Sequence, residues 1–500
     1  MPNKKFPESF YNLTTIVGVA IALISFGLIL FLIILETFAT DQKPYMGIIA
    51  FVILPTFLIF GLILISYGIL RESRKIKSGK HKEFEFPKID LNNPKQFSAF
   101  IVFSVGTVLL LMFSAFGSYK AYEYTDSDEF CGEVCHEVMS PEYTAYQFSP
   151  HAKVGCAKCH IGSGAQWFVK AKISGSYQVY SVLFKKFSRP IPTPIDNLRP
   201  AQETCEKCHW PKHFYAEKKR TFNYYLSDEN NSKFTLDMLM KIGGGNIESG
   251  NTSGIHWHMN TSNEVTFVAT DEKRQVIPWV KSKNKDGVSV TYKSTDNLIG
   301  EKEFENLEVR RMDCIDCHNR PTHIYHPPSK SVNHYISIER INKSLPSIKT
   351  IAVTALENEY FTSKGALDSI KHYIENYYLE NYPKLLKEKK SEIDEAIIQI
   401  QNIYKRNYFP EMRTNWKFYP NNIGHLYSNG CFRCHDGKHV DEKGNVLTKD
   451  CNACHSIIAQ KFESGNKNVS VDGVKYQHPV DIGDSWDVIN CVECHSVTAK

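Results

Sequence analysis

The chain has 500 residues and a formal net charge of only +5, from 59 basic and 54 acidic residues. Nucleic-acid binding requires a concentrated basic surface, so this balance gives no case for a nucleic-acid partner. The average composition hides a hydrophobic N-terminal part, residues 1–119, and a polar part of about 380 residues that is long enough to bury a core.

Three stretches near the N-terminus carry no charged residue. They run from Leu13 to Leu35, from Pro44 to Leu70 and from Gln96 to Tyr119. Each exceeds the roughly 20 apolar residues that cross a bilayer as a helix. A cleaved signal peptide is the alternative for the first stretch, but its apolar run is longer than the usual 7 to about 15 residues and no clear A-x-A site follows. We therefore expect an uncleaved anchor, residues 1–119, with spans at about 13–38, 44–70 and 96–119.

The basic residues predict how these helices are oriented. Eight of them lie between or just beside the second and third stretches: Arg71, Arg74, Lys75, Lys77, Lys80, Lys82, Lys88 and Lys95. The link before the second stretch has only Lys43, and positive charge marks the cytoplasmic side. With Lys4 and Lys5 also inside, the third helix exits outward. We expect a multi-pass protein of the bacterial inner membrane whose polar part lies in the periplasm.

All 14 cysteines fall into seven close pairs, and a histidine follows the second cysteine of each pair. The motifs are Cys131/Cys135/His136, Cys156/Cys159/His160, Cys205/Cys208/His209, Cys314/Cys317/His318, Cys431/Cys434/His435, Cys451/Cys454/His455 and Cys491/Cys494/His495. Two thiols at this spacing can bind the two vinyl groups of one haem, and the adjacent histidine becomes the proximal iron ligand. Structural zinc and redox disulfides also use C-x-x-C, but neither explains a histidine after every pair. The sequence predicts seven c-type haems, which are attached outside the cytoplasm.

The first motif departs from this spacing, because three residues separate Cys131 from Cys135. Its assignment depends on the other six motifs and on Met139, since a thioether can ligate haem iron. Residues 120–130 alone connect the third predicted helix to this motif, so we expect the first haem close to the membrane surface.

The polar part divides into three predicted domains. Residues 120–330 hold four motifs and a small β insertion at about 214–312. The insertion has strand-like segments rich in β-branched and aromatic residues, with a loose loop as the alternative; they are Val265 to Ala269, Gln275 to Val280 and Val288 to Tyr292. The expected fold class is a multihaem cytochrome c with mostly α and irregular chain wrapped around haems.

Residues 331–420 form a predicted helical connector, and residues 421–500 form a three-haem C-terminal domain. The connector has helical periodicity, and two to four helices are expected there. The isoleucines that carry this pattern are Ile393, Ile397, Ile398, Ile400 and Ile403.

The remaining histidines bear on function, because an iron with two protein ligands transfers electrons whereas an open position permits substrate chemistry. His81 lies in the predicted cytoplasmic loop. The leading distal candidates are His151, His256 or His258, His323, His425, His439 and His478. A lower rank goes to His213, His326, His334 and His372. These are enough to complete all seven irons.

Several motifs between about Phe97 and Pro328 carry a family resemblance. They are an anchoring helix before the first motif with Met139, the segment Tyr143-Thr-Ala-Tyr-Gln-Phe-Ser-Pro-His151 leading into the second motif, Cys205-Glu-Lys-Cys-His209-Trp-Pro, and Cys314-Ile-Asp-Cys-His318 with His323 beyond it. Together they resemble the NapC/NirT family of membrane-anchored multihaem quinol dehydrogenases. The resemblance implies that Met139 ligates the first iron, that His151 and His323 are distal ligands in the first cluster, and that quinol is oxidised beside the first haem.

The resemblance also places the quinol site on the segment after the second motif, where a lysine and an acidic residue assist proton removal. Lys170 and Lys172 are present there, but Gln178 stands closest to the acidic position. The sequence departs from the family in the extra residue inside the first motif, an extra residue before Met139, and three predicted membrane helices where the typical member has one. Seven motifs with such an anchor look like the inner-membrane cytochromes of this family in metal-respiring bacteria.

The leading hypothesis is an inner-membrane quinol dehydrogenase of anaerobic respiration. It would oxidise menaquinol from the membrane quinone pool and pass electrons through seven haems to periplasmic c-type cytochromes or a periplasmic reductase. A terminal reductase of nitrite or a similar oxyanion is a rival that requires an open iron, against which the supply of histidines argues. An electron-wire subunit of a larger membrane complex is the third hypothesis, and a homo-oligomer is also left open.

Overall fold

The computed structural model describes residues 7–38, 53–79, 90–134, 136–161, 165–195, 199–209, 217–243, 254–259, 263–284 and 286–496. The chain divides into two compact units. The first consists of Met1–Cys131 and Cys156–Leu183, and the second of Gly132–Gly155 and Phe184–Lys500. The second motif therefore shares a unit with the N-terminal helices.

Three long apolar helices dominate the first unit. They are α1 (Leu13–Phe38), α2 (Leu54–Lys77) and α3 (Pro94–Thr125). Each contains a stretch long and apolar enough to cross a membrane. Helix α2 continues past the predicted end at residue 70, so the first basic residues of the predicted cytoplasmic loop extend this helix. Residues 44–52 of the predicted second span lie outside the described residues.

Helices α1 and α2 pack through small residues. A Cβ atom built on Gly61 would lie 2.8 Å from the backbone nitrogen of Ala22 and 2.9 Å from the carbonyl oxygen of Gly18. Small residues allow membrane helices to approach this closely, and the contact is made by the two backbones. In α3, a Cβ on Gly106 would have no described atom within 4 Å.

Helices of 4 to 19 residues occur in the region of the first four motifs. Along the chain they are α4 (His136–Gln147), α5 (Cys156–His160), α6 (Ala165–Leu183), α7 (Ala201–Thr204), α8 (Glu301–Phe304) and α9 (Cys314–Cys317). Helices α5 and α6 belong to the first unit and the others to the second.

Each of the four longer helices of the connector buries several residues. The connector contains α10 (Pro328–Ser337), α11 (Ile348–Glu357), α12 (Ser363–Asn381), α13 (Pro383–Glu388) and α14 (Lys390–Asn407). Of the predicted stripe on α14, Ile393, Ile400 and Ile403 are fully buried, whereas Ile398 is 49% exposed. Two more short helices, α15 (Ser485–Val488) and α16 (Cys491–His495), lie near the C-terminus.

Strands of the second unit form two antiparallel sheets. In chain order they are β1 (Glu217–Tyr225), β2 (Lys233–Lys241), β3 (Glu264–Val268), β4 (Trp279–Lys283), β5 (Ser289–Ser294), β6 (Arg310–Arg311), β7 (His439–Val440), β8 (His455–Phe462) and β9 (Lys467–Val469). One sheet has the order β1-β2-β8-β9 and the other β6-β3-β4-β5-β7. The core of the second sheet includes Val265, Phe267, Ile277 and Val280.

The β insertion differs from its prediction in extent. Strands β1 and β2 were not predicted, and the strand predicted to begin at Gln275 begins at Trp279. The segment before it turns instead, because the Asp271 carboxylate accepts hydrogen bonds from the backbone N–H groups of Gln275 and Val276 at 2.8 and 2.7 Å. The insertion also shares both sheets with the C-terminal region, since β2 pairs with β8 and β5 with β7. The boundary between the predicted four-haem and three-haem domains is therefore bridged by β pairing.

Candidate haem sites

Each fully described motif folds as a single tight turn. The second, fourth and seventh motifs form α5, α9 and α16, while Cys205–Lys207, Gly430–Arg433 and Cys451–Ala453 are 3₁₀ turns. One helical turn brings residues three apart to the same side, which suits two thiols that bind one macrocycle.

The second cysteines of these turns differ in exposure. Cys208 and Cys494 are exposed and Cys159 is half-buried, whereas Cys434 is only 9% exposed. The Cys208 backbone N–H donates to the Cys205 carbonyl oxygen at 3.1 Å and closes the turn of the third motif. Haem attachment at all seven motifs stays a prediction from the motif spacing.

The first motif begins in a π-helical turn. This turn, Phe130–Val134, has a wider hydrogen-bond ring than an α-helix, so it suits the extra residue of the motif. Cys135 and the side chain of His136 lie outside the described atoms. In the first unit, the Asp128 carboxylate accepts a hydrogen bond of 2.7 Å from the backbone N–H of Cys156 and so caps α5. Met139 is half-buried on α4.

Within the part of the chain that the structure describes, five motif histidines each face a second histidine. The pairs and their ring-centre separations are His151 and His209 at 5.9 Å, His256 and His318 at 6.3 Å, His258 and His435 at 5.8 Å, His425 and His455 at 6.2 Å, and His478 and His495 at 6.3 Å. A metal held between two imidazole nitrogens at about 2 Å from each separates the ring centres by roughly 6 Å. The third to seventh motifs therefore fit an iron between paired imidazoles.

Backbone carbonyls orient several of these rings. The Nδ1 atoms of His256 and His258 donate to the carbonyl oxygens of Ile242 and Ile255, each at 3.0 Å. His478 Nδ1 lies 2.7 Å from the Val480 carbonyl oxygen. An Nδ1 donor selects the tautomer in which Nε2 carries the lone pair that binds a metal.

Burial favours the neutral imidazole that metal ligation requires. It lowers the pKa of His425 to about 4. Burial also lowers the pKa of His256, His258, His318 and His455 below the ordinary value of 6.5. These rings are therefore neutral at pH 7 before any metal binds.

The surroundings of His439 do not suit its predicted role as a distal ligand. Its ring is 1% exposed, with Nδ1 2.9 Å from the Asp436 carboxylate and Nε2 2.7 Å from the Ile277 carbonyl oxygen. Burial opposes the charged ring, but the hydrogen bonds to Asp436 and Ile277 outweigh burial and raise the pKa of His439. Both ring nitrogens are donors, so neither has a lone pair for a metal, and His439 instead joins β7 to the turn before β4.

A hydrogen bond orients the ring of His323. Its Nδ1 donates to the carbonyl oxygen of Glu142 at 3.0 Å, and burial lowers its pKa. Arg320 holds this arrangement, because it donates to the Glu142 carboxylate at 2.9 Å and to the His323 carbonyl oxygen at 2.7 Å. Glu142 and Arg320 are thus positioning residues for this ring.

The lower-ranked histidines take no part in the five pairs. His326 is buried, which lowers its pKa to about 4, and His334 packs against the ring of Tyr335. His372 is exposed on α12 beside Asn376, and His213 lies outside the described residues.

Several consecutive motifs are also neighbours in space within one compact unit. As thiols, the later cysteines have pKa values raised by burial and raised further by the charge of a cysteine in the preceding motif. Cys205 raises the pKa of Cys314 in this way, Cys431 raises that of Cys454, and Cys451 raises that of Cys491. In the first unit, a hydrogen bond with Cys131 raises the pKa of Cys156. Each of these pairs therefore consists of adjacent motifs in chain order.

The segment predicted to bind quinol is helix α6. Lys170 and Gln178 are exposed on it, with the Lys170 ammonium 4.9 Å from the centre of the Trp167 ring; the Lys172 side chain lies outside the described atoms. The apolar residues Ile173 and Tyr177 are 68% and 66% exposed. Helix α6 thus presents lysine and bare apolar surface in the same compact unit as the membrane helices.

In this chain, helices able to cross a membrane come first, and they are followed by Cys-x-x-Cys-His turns whose histidines each face a second imidazole. These features define a membrane-anchored multihaem c-type cytochrome. A model of the NapC/NirT cytochrome c family, N-terminal region, matches residues 93–191. Cytochrome c-type protein ImcH of Geobacter sulfurreducens (strain ATCC 51573 / DSM 12127 / PCA) is 42% identical over 501 residues, which cover 100% of this chain and 98% of that protein. No solved structure matches the chain. The chain belongs to the NapC/NirT cytochrome c family, carries haem c and functions in electron transfer, so the family predicted from the motifs is confirmed.

Proposed function

We propose that this cytochrome is a quinol dehydrogenase that oxidises menaquinol at the first motif and passes electrons through seven c-type haems to a periplasmic acceptor. The observation that carries the proposal is the series of paired imidazoles at the third to seventh motifs. An iron with two protein ligands exchanges electrons with little rearrangement and has no position for a substrate. The same observation weighs against a terminal nitrite reductase, which requires an open iron.

The proposed topology places the motifs in the periplasm. Basic residues at the end of α2, among them Arg71, Arg74 and Lys77, support a cytoplasmic location for the loop after this helix. Helix α3 then leads outward to the first motif. Electrons can in this way enter at the membrane and leave from the polar part of the protein.

The proposed quinol site lies on helix α6. Oxidation of one quinol to quinone releases two protons and two electrons, and haem c, when bound, supplies one-electron acceptors. The exposed apolar side chains of Ile173 and Tyr177 suit the quinol ring and tail, while Lys170 and Lys172 stabilise negative charge that develops on a quinol oxygen as its proton leaves. Gln178 can hydrogen-bond a quinol hydroxyl, but its amide is not basic, so it positions the quinol rather than accepting the proton.

The proposal is tested by adding a menaquinol analogue to the purified holoprotein and following haem reduction by absorbance. We expect rapid reduction that a quinone-site inhibitor blocks. Lys170→Ala and Lys172→Ala should slow it at least tenfold, whereas Lys371→Ala, on helix α12 of the connector, should not. Absence of reduction in the wild type would exclude quinol oxidation and favour the electron-wire alternative. Reduction that is unaffected by either α6 substitution would move the quinol site away from this helix.

A further inference from the structure

One short 3₁₀ turn of the β insertion carries two of the paired histidines. The turn is Ile255–Met259, with the sequence Ile-His-Trp-His-Met. The His256 ring lies 6.3 Å from His318 of the fourth motif, and the His258 ring lies 5.8 Å from His435 of the fifth. A 3₁₀ turn has about three residues per turn, so side chains two apart point in directions that differ by roughly 120°. The two rings therefore cannot serve one iron, but they can serve two.

The turn is firmly held between the two motifs. Trp257 packs against the buried core of the second sheet. The backbone N–H of His256 donates to the Ile242 carbonyl oxygen at 3.0 Å, and the Met259 sulfur lies 3.9 Å from Cys314 Sγ of the fourth motif. Packing on both sides fixes the direction of each imidazole.

The fourth and fifth motifs also contact each other directly. Arg433, between the two cysteines of the fifth motif, donates to the carbonyl oxygen of Asp316, between the cysteines of the fourth, at 2.8 Å. Asn422 donates to the same oxygen at 2.9 Å. Arg433 and Asp316 are 8% and 3% exposed, so this contact is a buried part of the structure.

We propose that the turn Ile255–Met259 provides one axial ligand to each of two haems that lie in different regions of the chain. His256 ligates the haem of Cys314 and Cys317 in the four-haem region, and His258 ligates the haem of Cys431 and Cys434 in the three-haem region. The β insertion is then the element that links the four-haem region to the three-haem region. Its place in the electron path depends on the proposed function, whereas the ligation itself does not.

The two sites have different spectroscopic signatures. The planes of His256 and His318 differ by 2°, and those of His258 and His435 by 85°. Parallel imidazoles give a rhombic low-spin ferric signal in electron paramagnetic resonance, whereas perpendicular imidazoles give a highly anisotropic low-spin signal. Each histidine can therefore be assigned separately in the same protein.

The test uses the full-length holoprotein with His256→Ala or His258→Ala. We expect His256→Ala to replace one rhombic low-spin signal, and His258→Ala one highly anisotropic signal, by the high-spin signal of one haem. Covalent haem content should stay unchanged, because the thioether bonds remain. Added imidazole should restore the low-spin signal in each variant, which a general folding defect would not allow. His372→Ala, which removes an exposed histidine of the connector, is the matched control and should leave all signals unchanged.

Two results would overturn this assignment of ligands. One is the loss of the same signal in both variants, which would assign both histidines to a single haem. The other is the absence of a high-spin signal in either variant. The assay uses ferric protein without quinol, so a failure of the quinol proposal would leave its outcome unaffected.

Discussion

The contact between the fourth and fifth motifs yields a stability prediction for Arg433. Its guanidinium donates to three carbonyl oxygens, those of Gly430 at 2.9 Å, Arg274 at 2.8 Å and Asp316 at 2.8 Å. The substitution Arg433→Met keeps an unbranched apolar stem and removes the guanidinium with all three donors. The Asp316 oxygen keeps its bond from Asn422, so the carbonyls of Gly430 and Arg274 are the ones that lose this donor.

The expected loss can be worked out from these bonds. A hydrogen bond from a charged donor contributes roughly 1.5–3 kcal/mol, and a buried acceptor left unsatisfied costs a similar amount. Burying the guanidinium cation costs several kcal/mol, and methionine, which is uncharged, avoids this cost. The substitution therefore recovers part of the loss. We expect the free energy of unfolding to fall by about 3 kcal/mol.

Guanidinium titration of the holoprotein, followed at the Soret band, measures this change. The Arg433→Lys variant should be intermediate, because an ammonium group does not reproduce the planar fork that serves three carbonyls. The Lys443→Met substitution at an exposed turn is the control for loss of one positive charge. If Arg433→Met unfolds at the same denaturant concentration as this control, Arg433 does not hold the two motifs together.

Three other predictions follow from buried contacts. The substitution Gly61→Leu should lower the melting temperature of the detergent-solubilised protein, because its Cβ meets the α1 backbone at 2.8 Å, whereas Gly106→Leu should not; equal effects would contradict this packing. Burial lowers the pKa of Lys349 to about 7 from 10.5, so the unfolded chain binds more protons between these values and stability should rise with pH across them. The rise should be absent in Lys349→Met, and a persistent rise would assign it to another group. The substitution Arg320→Met leaves the Glu142 carboxylate without its guanidinium partner and should cost about 3–5 kcal/mol, with part of the loss recovered on adding Glu142→Gln in a double-mutant cycle.

Under the proposed ligation, the β insertion supplies axial ligands that the motifs themselves lack. A c-type motif supplies two thioethers and one axial ligand from a local segment, but the second axial ligand must come from elsewhere. The five histidines that face motif histidines come from segments between or before the motifs, and two of them stand on one turn of the insertion. Under the proposed ligation, the insertion and the C-terminal region contribute to the same haem site, which agrees with the pairing of β2 with β8 and of β5 with β7.

Local motifs in the sequence predict the chemistry, the membrane helices and the family of this protein. The motif spacing predicted haem attachment, the length of uncharged runs predicted the membrane helices, and the motifs of the first half predicted the family. These features are local, because two thiols and a histidine within five residues, or about 20 apolar residues in a row, have the same meaning in almost any fold. The buried stripe on α14 is predictable for the same reason, because the spacing of apolar residues within one helix indicates which side of that helix is buried.

Tertiary structure decided which distant residues meet. The sequence leaves His256 and His258 as alternative distal ligands and also predicts His439 as one. The fold brings His256 and His258 to different motifs, and both ring nitrogens of His439 are hydrogen-bonded. An imidazole has the same composition as ligand or as buried donor, and the atoms around its nitrogens decide between these roles. Strand β2 pairs on one side with the neighbouring β1 and on the other with β8, more than 200 residues away, so local sequence reports only part of the pairing on which the strand depends.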